Sequence, residues 1–307
     1  MKSQFKKWKC RASSMGHICT KRDTITKDQL ADIKALEDEK ETGLNANGNK
    51  VKWTDNKENK LSSLISKRDA PDELPAGVKT HLDNVFRSQF WGRNRILFNK
   101  YLDKGNLAEE DSLELLSQID GTFYAKNDDF FENAYAQGTP DNIQGMIRDA
   151  KTNFDMESFD NAELTSLYKW QVKTYIWMLI SKLKNYHGEL FYALVNNPYH
   201  QLNNDITSMY YKMGQPDDDD DRYMEYKRQM ERNMIFDIKR WKENYPGYPF
   251  VNENLDFDVP AVLRIKRFPV TLNNQDIKFM KQRVVMCRDY LIEKENEVLN
   301  KLKRKKC

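Results

Sequence analysis

The sequence predicts an α/β protein in which a mixed central β-sheet is flanked by helices. Between residues 109 and 195, stretches with apolar residues at helical spacing alternate with short runs rich in aromatic and β-branched residues. Their order along the chain is helix, strand, strand, strand, helix, strand. The 307 residues, 39% of them apolar, are enough to bury the core that such a layered arrangement requires.

The composition limits the classes of protein to consider. No apolar run approaches the roughly 20 residues that a membrane-spanning helix needs, and the basic start lacks the apolar core of a secretory signal. We therefore expect a cytoplasmic protein with no membrane partner. A net charge of +3 is nearly neutral, so any nucleic-acid surface would depend on local clusters. The cysteines form no C-x-x-C pair, which favours thiols in a reducing compartment: Cys10, Cys19, Cys287 and Cys307.

Residues 1–75 form a basic and polar N-terminal region. Near its start, Arg11, Ser13 and Ser14 combine a cation with two hydroxyl groups, a set that can bind phosphate. A helix N-cap with a surface arginine nearby would explain the same residues. A charged helix is predicted at 27–41, followed by an Asn/Gly-rich loop and further polar chain.

The predicted core, residues 76–200, begins with a helical pattern that leads to Arg93 and Arg95. These could face DNA phosphates, and surface ion pairs would explain them equally well. The next helical pattern opens at Glu109, whose carboxylate projects into the middle of an apolar arc. Because burying an unpaired charge costs several kcal/mol, we expect a metal or a lysine beside it. A partly exposed glutamate in the first helical turn is the alternative.

The stretch that contains the candidate catalytic residues follows two predicted strands, 122–126 and 130–136. A turn at 138–145 carries Asp141 and reverses the chain into a predicted strand, 146–152. Asp149 and Lys151 stand two residues apart in that strand, so both side chains point to one face, away from Arg148. Two carboxylates and an ammonium would then converge. A polar hairpin with a solvated lysine is the alternative interpretation.

A helix rich in apolar and aromatic residues is predicted at 164–180, and a buried strand at 188–195. Gln171 and Tyr175 lie four residues apart and share one face of that helix, which ordinary core packing would also explain. Residues 201–307 form a C-terminal elaboration. It contains a predicted charged helix at 222–245, an edge strand at 262–271 and a long amphipathic helix at 274–301.

Four motifs in this order resemble the PD-(D/E)XK nuclease superfamily. They are Gly-x-x-x-Glu at 105–109, Pro-Asp at 140–141, Asp-x-Lys at 149–151 and Gln-x-x-x-Tyr at 171–175. The set is similar to the phage exonuclease branch, which includes lambda exonuclease, YqaJ-type viral recombinases and RecB-type nuclease domains. The resemblance covers about residues 77–198 and implies a restriction-endonuclease-like core with helical N- and C-terminal elaborations. Arg148 departs from the family, whose strand is usually apolar before the acid.

The resemblance implies a Mg²⁺-dependent DNA exonuclease, phage-encoded and used in DNA recombination, repair or degradation, with Mn²⁺ as a substitute ion. Its implied metal ligands are Glu109, Asp141, Asp149 and the backbone carbonyl of Ala150. Lys151 would position the attacking water, while Gln171 and Tyr175 would support Lys151 or hold the scissile strand. Arg11, Ser13 and Ser14 match in position a segment that contacts the terminal phosphate or the DNA backbone.

The partners implied are DNA, a single-strand annealing protein and further copies of the chain. Two alternatives stay open at this stage. The same site could belong to a structure-specific endonuclease, or the chain could be a DNA-binding or structural protein whose nuclease site is degenerate, for which Arg148 is the best support.

Overall fold

The computed structural model describes residues 3–20, 26–45, 47–69, 73–94, 100–252 and 254–304. Within them the chain forms six β-strands: β1 Cys10–Arg11, β2 Phe131–Glu132, β3 Ala136–Gly138, β4 Ile147–Thr152, β5 His187–Ala193 and β6 Ile265–Thr271. It also forms twelve α-helices: α1 Ala12–Ile18, α2 Lys27–Thr42, α3 Asp55–Asp69, α4 Ala76–Trp91, α5 Lys100–Leu107, α6 Glu109–Asp120, α7 Met156–Asp160, α8 Ser166–Leu183, α9 Tyr199–Lys212, α10 Asp221–Met234, α11 Ile238–Asn244 and α12 Asn274–Arg304. The predicted α/β class is confirmed.

The strands form two small mixed sheets instead of one central sheet. In the first, the order is β1-β3-β2, with β1 parallel and β2 antiparallel to β3. In the second, the order is β4-β5-β6, with β4 parallel and β6 antiparallel to β5. The turn between β3 and β4 separates the two sheets and pairs with β4 only at the Asn142–Arg148 bridge. The central strand of the second sheet, β5, is buried over nearly its whole length, as the sequence predicts.

The main core holds α8 against the second sheet. Its apolar cluster includes Phe5 and Met15 from the first residues of the chain, Val172 from α8, Leu190 from β5 and Leu291 from α12. All three regions predicted from the sequence therefore contribute to one cluster. Because α8 is packed against α1 on one side and β5 on another, the face that carries its polar residues is fixed relative to β4.

Several predicted elements differ from those observed. No strand forms at 122–126, because its backbone groups bond to side chains: Ser117 Oγ accepts from Tyr124 N, and Asn142 Nδ2 donates to Ala125 O. The predicted strand 130–136 is reduced to the short β2 and the start of β3. The predicted helix 222–245 is divided into α10 and α11, since the Asp237 side chain accepts from Arg240 N and begins a new helix.

Helix α3 was not predicted from the sequence, in which its residues read only as further polar chain. Its Leu61 and Leu64 pack with Ile33 and Leu36 of α2 in a small separate cluster. Three large apolar residues in the 15 residues of α3 are too few to produce a clear helical period in so charged a segment. Among the described residues, no helix is both long enough and apolar enough to cross a bilayer.

The close approach of α1 to α8 yields a stability prediction at Gly16. A Cβ added there would lie 2.5 Å from Leu167 Cα and 2.7 Å from Leu167 O, both backbone atoms that cannot move aside cheaply. We expect Gly16→Ala to lower the free energy of unfolding by about 1–3 kcal/mol in denaturant titration. Gly77→Ala is the matched control, because nothing lies within 4 Å of its added Cβ and alanine favours the helix. Equal stability of the two variants would contradict the close packing.

Candidate active site

Strand β4 carries the two side chains at the centre of the site. Asp149 and Lys151 share one face, as predicted, and Lys151 Nζ lies 2.6 Å from Asp149 Oδ2. The Asp149 side chain has no exposed surface, whereas 22% of the Lys151 side chain is exposed. Oδ2 of Asp149 has no other partner among the described residues. Ala150, between them, faces the opposite side and packs with Leu113 and Leu116 of α6 in a second apolar cluster.

Asp141 lies against the same strand because the preceding turn is fixed to it. Its Oδ2 accepts a hydrogen bond of 2.7 Å from Ala150 N. The turn is held from the opposite face by Arg148, whose Nη1 donates to Asn142 Oδ1 (3.1 Å) and to Gln144 O (2.8 Å). The Arg148 guanidinium also lies 4.1 Å from the centre of the Tyr124 ring. Arg148 thus points away from Asp149, as predicted, and braces the turn that presents Asp141.

Glu109 joins the same cavity from the first turn of α6. Its side chain is 25% exposed and its Oε1 lies 3.6 Å from Lys126 Nζ, so the expected lysine partner is present. Both Glu109 and Asp141 line a cavity of about 440 Å³ together with Ala150 and Lys151. The site therefore holds three carboxylates, counting Asp149, and two ammonium groups, those of Lys126 and Lys151.

This excess of negative charge shifts the ionisation of the site. Burial, with the nearby charges of Asp149 and Glu109, raises the pKa of Asp141 well above its usual range, although Lys151 opposes the shift. Burial acts to lower the pKa of Lys151, but the carboxylates of Asp149 and Asp141 outweigh it and leave that pKa raised. Lys151 is therefore an ammonium group at neutral pH.

Gln171 and Tyr175 lie together beneath Asp149, on the buried face of α8. Gln171 Nε2 donates to Asp149 Oδ1 (2.9 Å) and also to the Tyr175 hydroxyl (3.3 Å). Burial and the nearby Asp149 charge raise the pKa of Tyr175, so its hydroxyl stays protonated. The amide thus holds the carboxylate of Asp149. Support of Lys151 or of the scissile strand, which the resemblance implies, stays a prediction. The contact to Lys151 comes from Tyr168, whose ring centre lies 5.0 Å from Nζ.

The donor set suits a hard divalent cation. Carboxylates of Glu109, Asp141 and Asp149 and the Ala150 carbonyl offer only oxygen, the ligand type that Mg²⁺ and Mn²⁺ prefer. The raised pKa of Asp141 indicates negative charge that a cation would neutralise, and Asp149 Oδ2 has no contact besides Lys151 among the described residues. Throughout the described part of the chain, no three His, Cys, Asp or Glu side chains already stand as a finished ligand shell. An ion would therefore have to draw the carboxylates together.

The basic and hydroxyl residues predicted near the N-terminus are only partly brought to the site. Arg11 and Ser13 line a neighbouring cavity of about 400 Å³ that borders the site at Tyr175. Ser14 is half-buried in α1 and is not part of that lining. Arg93 is exposed beyond the end of α4, a helix that packs mainly on α1 and α12. Arg95 lies outside the described residues.

Sequence reasoning missed Lys104, which links the helix before Glu109 to the strand ends. Only 1% of this residue is exposed, and its Nζ donates to Val195 O (2.7 Å) and Phe154 O (3.3 Å), just beyond β5 and β4. Burial lowers the pKa of Lys104 well below its usual range. No local signal identifies it, because a lysine beside glycine in a charged segment is typical of a surface.

The α/β fold is similar to that of a solved phage-related exonuclease. A phage-related exonuclease from Haemophilus somnus 129PT is similar over 95% of this chain and 96% of its own, with a TM-score of 0.56 at 18% identity. At that score the two proteins share a fold, so the predicted resemblance is confirmed for the fold.

Two further solved structures are similar at lower scores. An alkaline exonuclease from Laribacter hongkongensis aligns over 97% of this chain and 95% of its own, with 10% identity and a TM-score of 0.47. Its complex with dAMP aligns over 76% and 88%, with 11% identity and a TM-score of 0.43. Scores below 0.5 add nothing to the fold assignment. No family model and no curated relative matches the chain.

The raised pKa of Asp141 predicts that this carboxylate destabilises the metal-free protein. A carboxyl group whose pKa is higher in the folded state contributes stability at low pH and loses it as pH rises through the folded pKa. In EDTA at neutral pH we expect Asp141→Asn to raise Tm, by about 2–4 °C for each kcal/mol gained. The gain should disappear below about pH 4, where the wild-type group is protonated in both states.

Asp219→Asn, in an exposed loop, serves as the control for this experiment. It should leave Tm unchanged over the same pH range. A lower Tm for Asp141→Asn at neutral pH would show that the carboxylate stabilises the metal-free site, contrary to the charge balance described here.

Proposed function

We propose that this protein is a Mg²⁺-dependent DNA exonuclease that hydrolyses phosphodiester bonds. The observation that carries the proposal is the convergence of Glu109, Asp141 and Lys151 on one cavity, with Asp149 ion-paired to Lys151 behind it. This set stands on a fold shared with a phage-related exonuclease. Carboxylates that hold a cation beside an ammonium group are the requirements of phosphodiester hydrolysis.

Glu109, Asp141, Asp149 and the Ala150 carbonyl would hold one or two Mg²⁺ ions, with Mn²⁺ as a substitute. When bound, the ion would polarise the scissile phosphate and lower the pKa of a water molecule. Lys151 holds an ammonium at the cavity wall, where it can orient the attacking water and offset charge that develops on the phosphate. Gln171 fixes one oxygen of Asp149, which leaves the other directed at Lys151.

The cavity beside Tyr175 suits the end of the strand. Arg11 offers an exposed guanidinium and Ser13 a hydroxyl, and both donate well to a terminal phosphate. Binding a strand end next to the hydrolytic site favours an exonuclease over an endonuclease. The recombination role, a single-strand annealing partner and assembly of several copies follow from the resemblance alone and belong to the same proposal.

The decisive test is cleavage of 5′-phosphorylated linear duplex DNA and of closed circular DNA by the purified protein, with Mg²⁺ or with EDTA. We expect Mg²⁺-dependent loss of the linear DNA only. Lys151→Ala should lower kcat by about 10²–10³-fold or more, because it removes a charge placed for the transition state. Gel analysis of products over time measures both.

Lys169→Ala is the matched control, since this exposed lysine lies on α8 outside the cavity lining. Its activity should equal that of the wild type. Nicking of the circle would assign the site to an endonuclease. Undiminished cleavage by Lys151→Ala would refute the site, and absence of any cleavage with Mg²⁺ or Mn²⁺ would favour the degenerate DNA-binding alternative.

A second prediction concerns metal binding itself and needs no DNA. Mg²⁺ at a hundredfold excess over its Kd should stabilise the wild-type protein by about 2.7 kcal/mol, measured as a rise in Tm. Since the raised pKa of Asp141 makes protons compete with the ion, the Mg²⁺ concentration needed should increase as pH falls. Asp141→Ala should lose the Mg²⁺ response, whereas Asp219→Ala should keep it. An equal response in both variants would exclude Asp141 as a ligand.

A further inference from the structure

Aromatic rings form much of the wall of the cavity that contains Glu109, Asp141 and Lys151. Tyr101, Phe154, Tyr168 and Tyr192 all line it. They stand in two edge-to-face pairs: Tyr101 and Phe154 have ring centres 5.0 Å apart at 73°, and Tyr168 and Tyr192 have centres 6.3 Å apart at 72°. None of these rings is needed for cation binding or for the attack of water.

The rings differ in how much surface they offer. Tyr192, which pairs with Lys151 across the sheet, is 7% exposed, and its hydroxyl donates to Glu163 O. Tyr168 is half-buried, with its ring against the Lys151 ammonium. Tyr101 is 57% exposed, although it lies in the wall of a cavity. The buried ring therefore supports the wall, and Tyr101 and Tyr168 present ring surface to an occupant.

The chemistry of this wall matches a nucleobase. Every base has a π-face that stacks on aromatic side chains whatever its sequence. The cavity of about 440 Å³ is within the range of pockets that bind small ligands, so it has room for one nucleotide. Asn153 also lines the cavity, and its buried Oδ1 has no hydrogen-bond partner among the described residues. It is an acceptor available to a donor group beside the rings.

We propose that Tyr101 and Tyr168 stack on the base of the nucleotide whose phosphate lies at Lys151. This inference rests on the proposed function and adds the contact that holds the base at the cleaved position. Stacking accepts any base, because every base has a π-face.

Tyr101 is the residue to test, because Tyr168 contacts Lys151 and its loss would disturb the ammonium. The probe is a short single-stranded oligonucleotide with 2-aminopurine at the cleaved position, whose fluorescence is quenched on stacking. Binding is measured with Ca²⁺ in place of Mg²⁺, so that the readout does not depend on cleavage. A second oligonucleotide carries an abasic site at that position. The variants are Tyr101→Ala, Tyr101→Phe and, as the control, Tyr211→Ala, a comparably exposed tyrosine of α9 outside the cavity.

We expect the wild type, Tyr101→Phe and Tyr211→Ala to quench the probe and to bind it alike. Tyr101→Ala should bind the base-containing strand about 5- to 150-fold more weakly, the equivalent of the ~1–3 kcal/mol of stacking one base. It should bind the abasic strand as the wild type does.

Three results would overturn the inference: no quenching or no binding by the wild type, equal affinity of the wild type for both strands, or an equal loss on both strands in Tyr101→Ala. Failure of the proposed function is distinguishable, because it would appear as absent Mg²⁺-dependent cleavage whatever the probe reports.

Discussion

The structure around β4 depends on one electrostatic constraint, the placement of three carboxylates beside two lysines in a partly buried cavity. Like charges at short range repel, and burial raises the free energy of each unneutralised charge. The arrangement is tolerated because each acid has at least one compensating contact. Ala150 N donates to Asp141, Gln171 Nε2 donates to Asp149, and Lys126 pairs with Glu109. Strand β4, helix α8 and the segment after α6 thus each supply one of these contacts.

The packing explains how such contacts stay in place. Helix α8 lies between α1 and the second sheet, so Gln171 cannot move away from Asp149 without opening the main core. On the other face of β4, Ala150 packs against α6, the helix that begins with Glu109. Lys104, in the preceding helix α5, donates hydrogen bonds to two carbonyl groups just beyond the ends of β4 and β5. Apolar packing on both faces of β4 therefore fixes the distances among the charged groups of the site.

The sequence predicted the elements whose signal is local and periodic. The strand that carries Asp149 and Lys151, the helix of Gln171 and the helix that opens at Glu109 follow from spacing alone. The division into two sheets could not be predicted, because it depends on side chains such as Asn142 that satisfy backbone groups at a distance along the chain. The burial of Lys104 and the aromatic wall were likewise invisible, since Tyr101, Phe154, Tyr168 and Tyr192 come together only through tertiary packing.

Arg148 was the strongest sequence argument for a degenerate site, and its place in the fold reverses that argument. It lies behind the strand, where its guanidinium bonds to the turn and stacks on Tyr124, so it secures the position of Asp141 and does not occupy the cavity. A structural protein would gain nothing from the remaining arrangement. A neutral side chain at Asp141 would relieve repulsion and stabilise such a protein, because the pKa of Asp141 is raised by burial and by its acidic neighbours. A buried carboxylate that costs stability, with a lysine and a supporting amide fixed around it, is what the proposed cation and phosphate site requires.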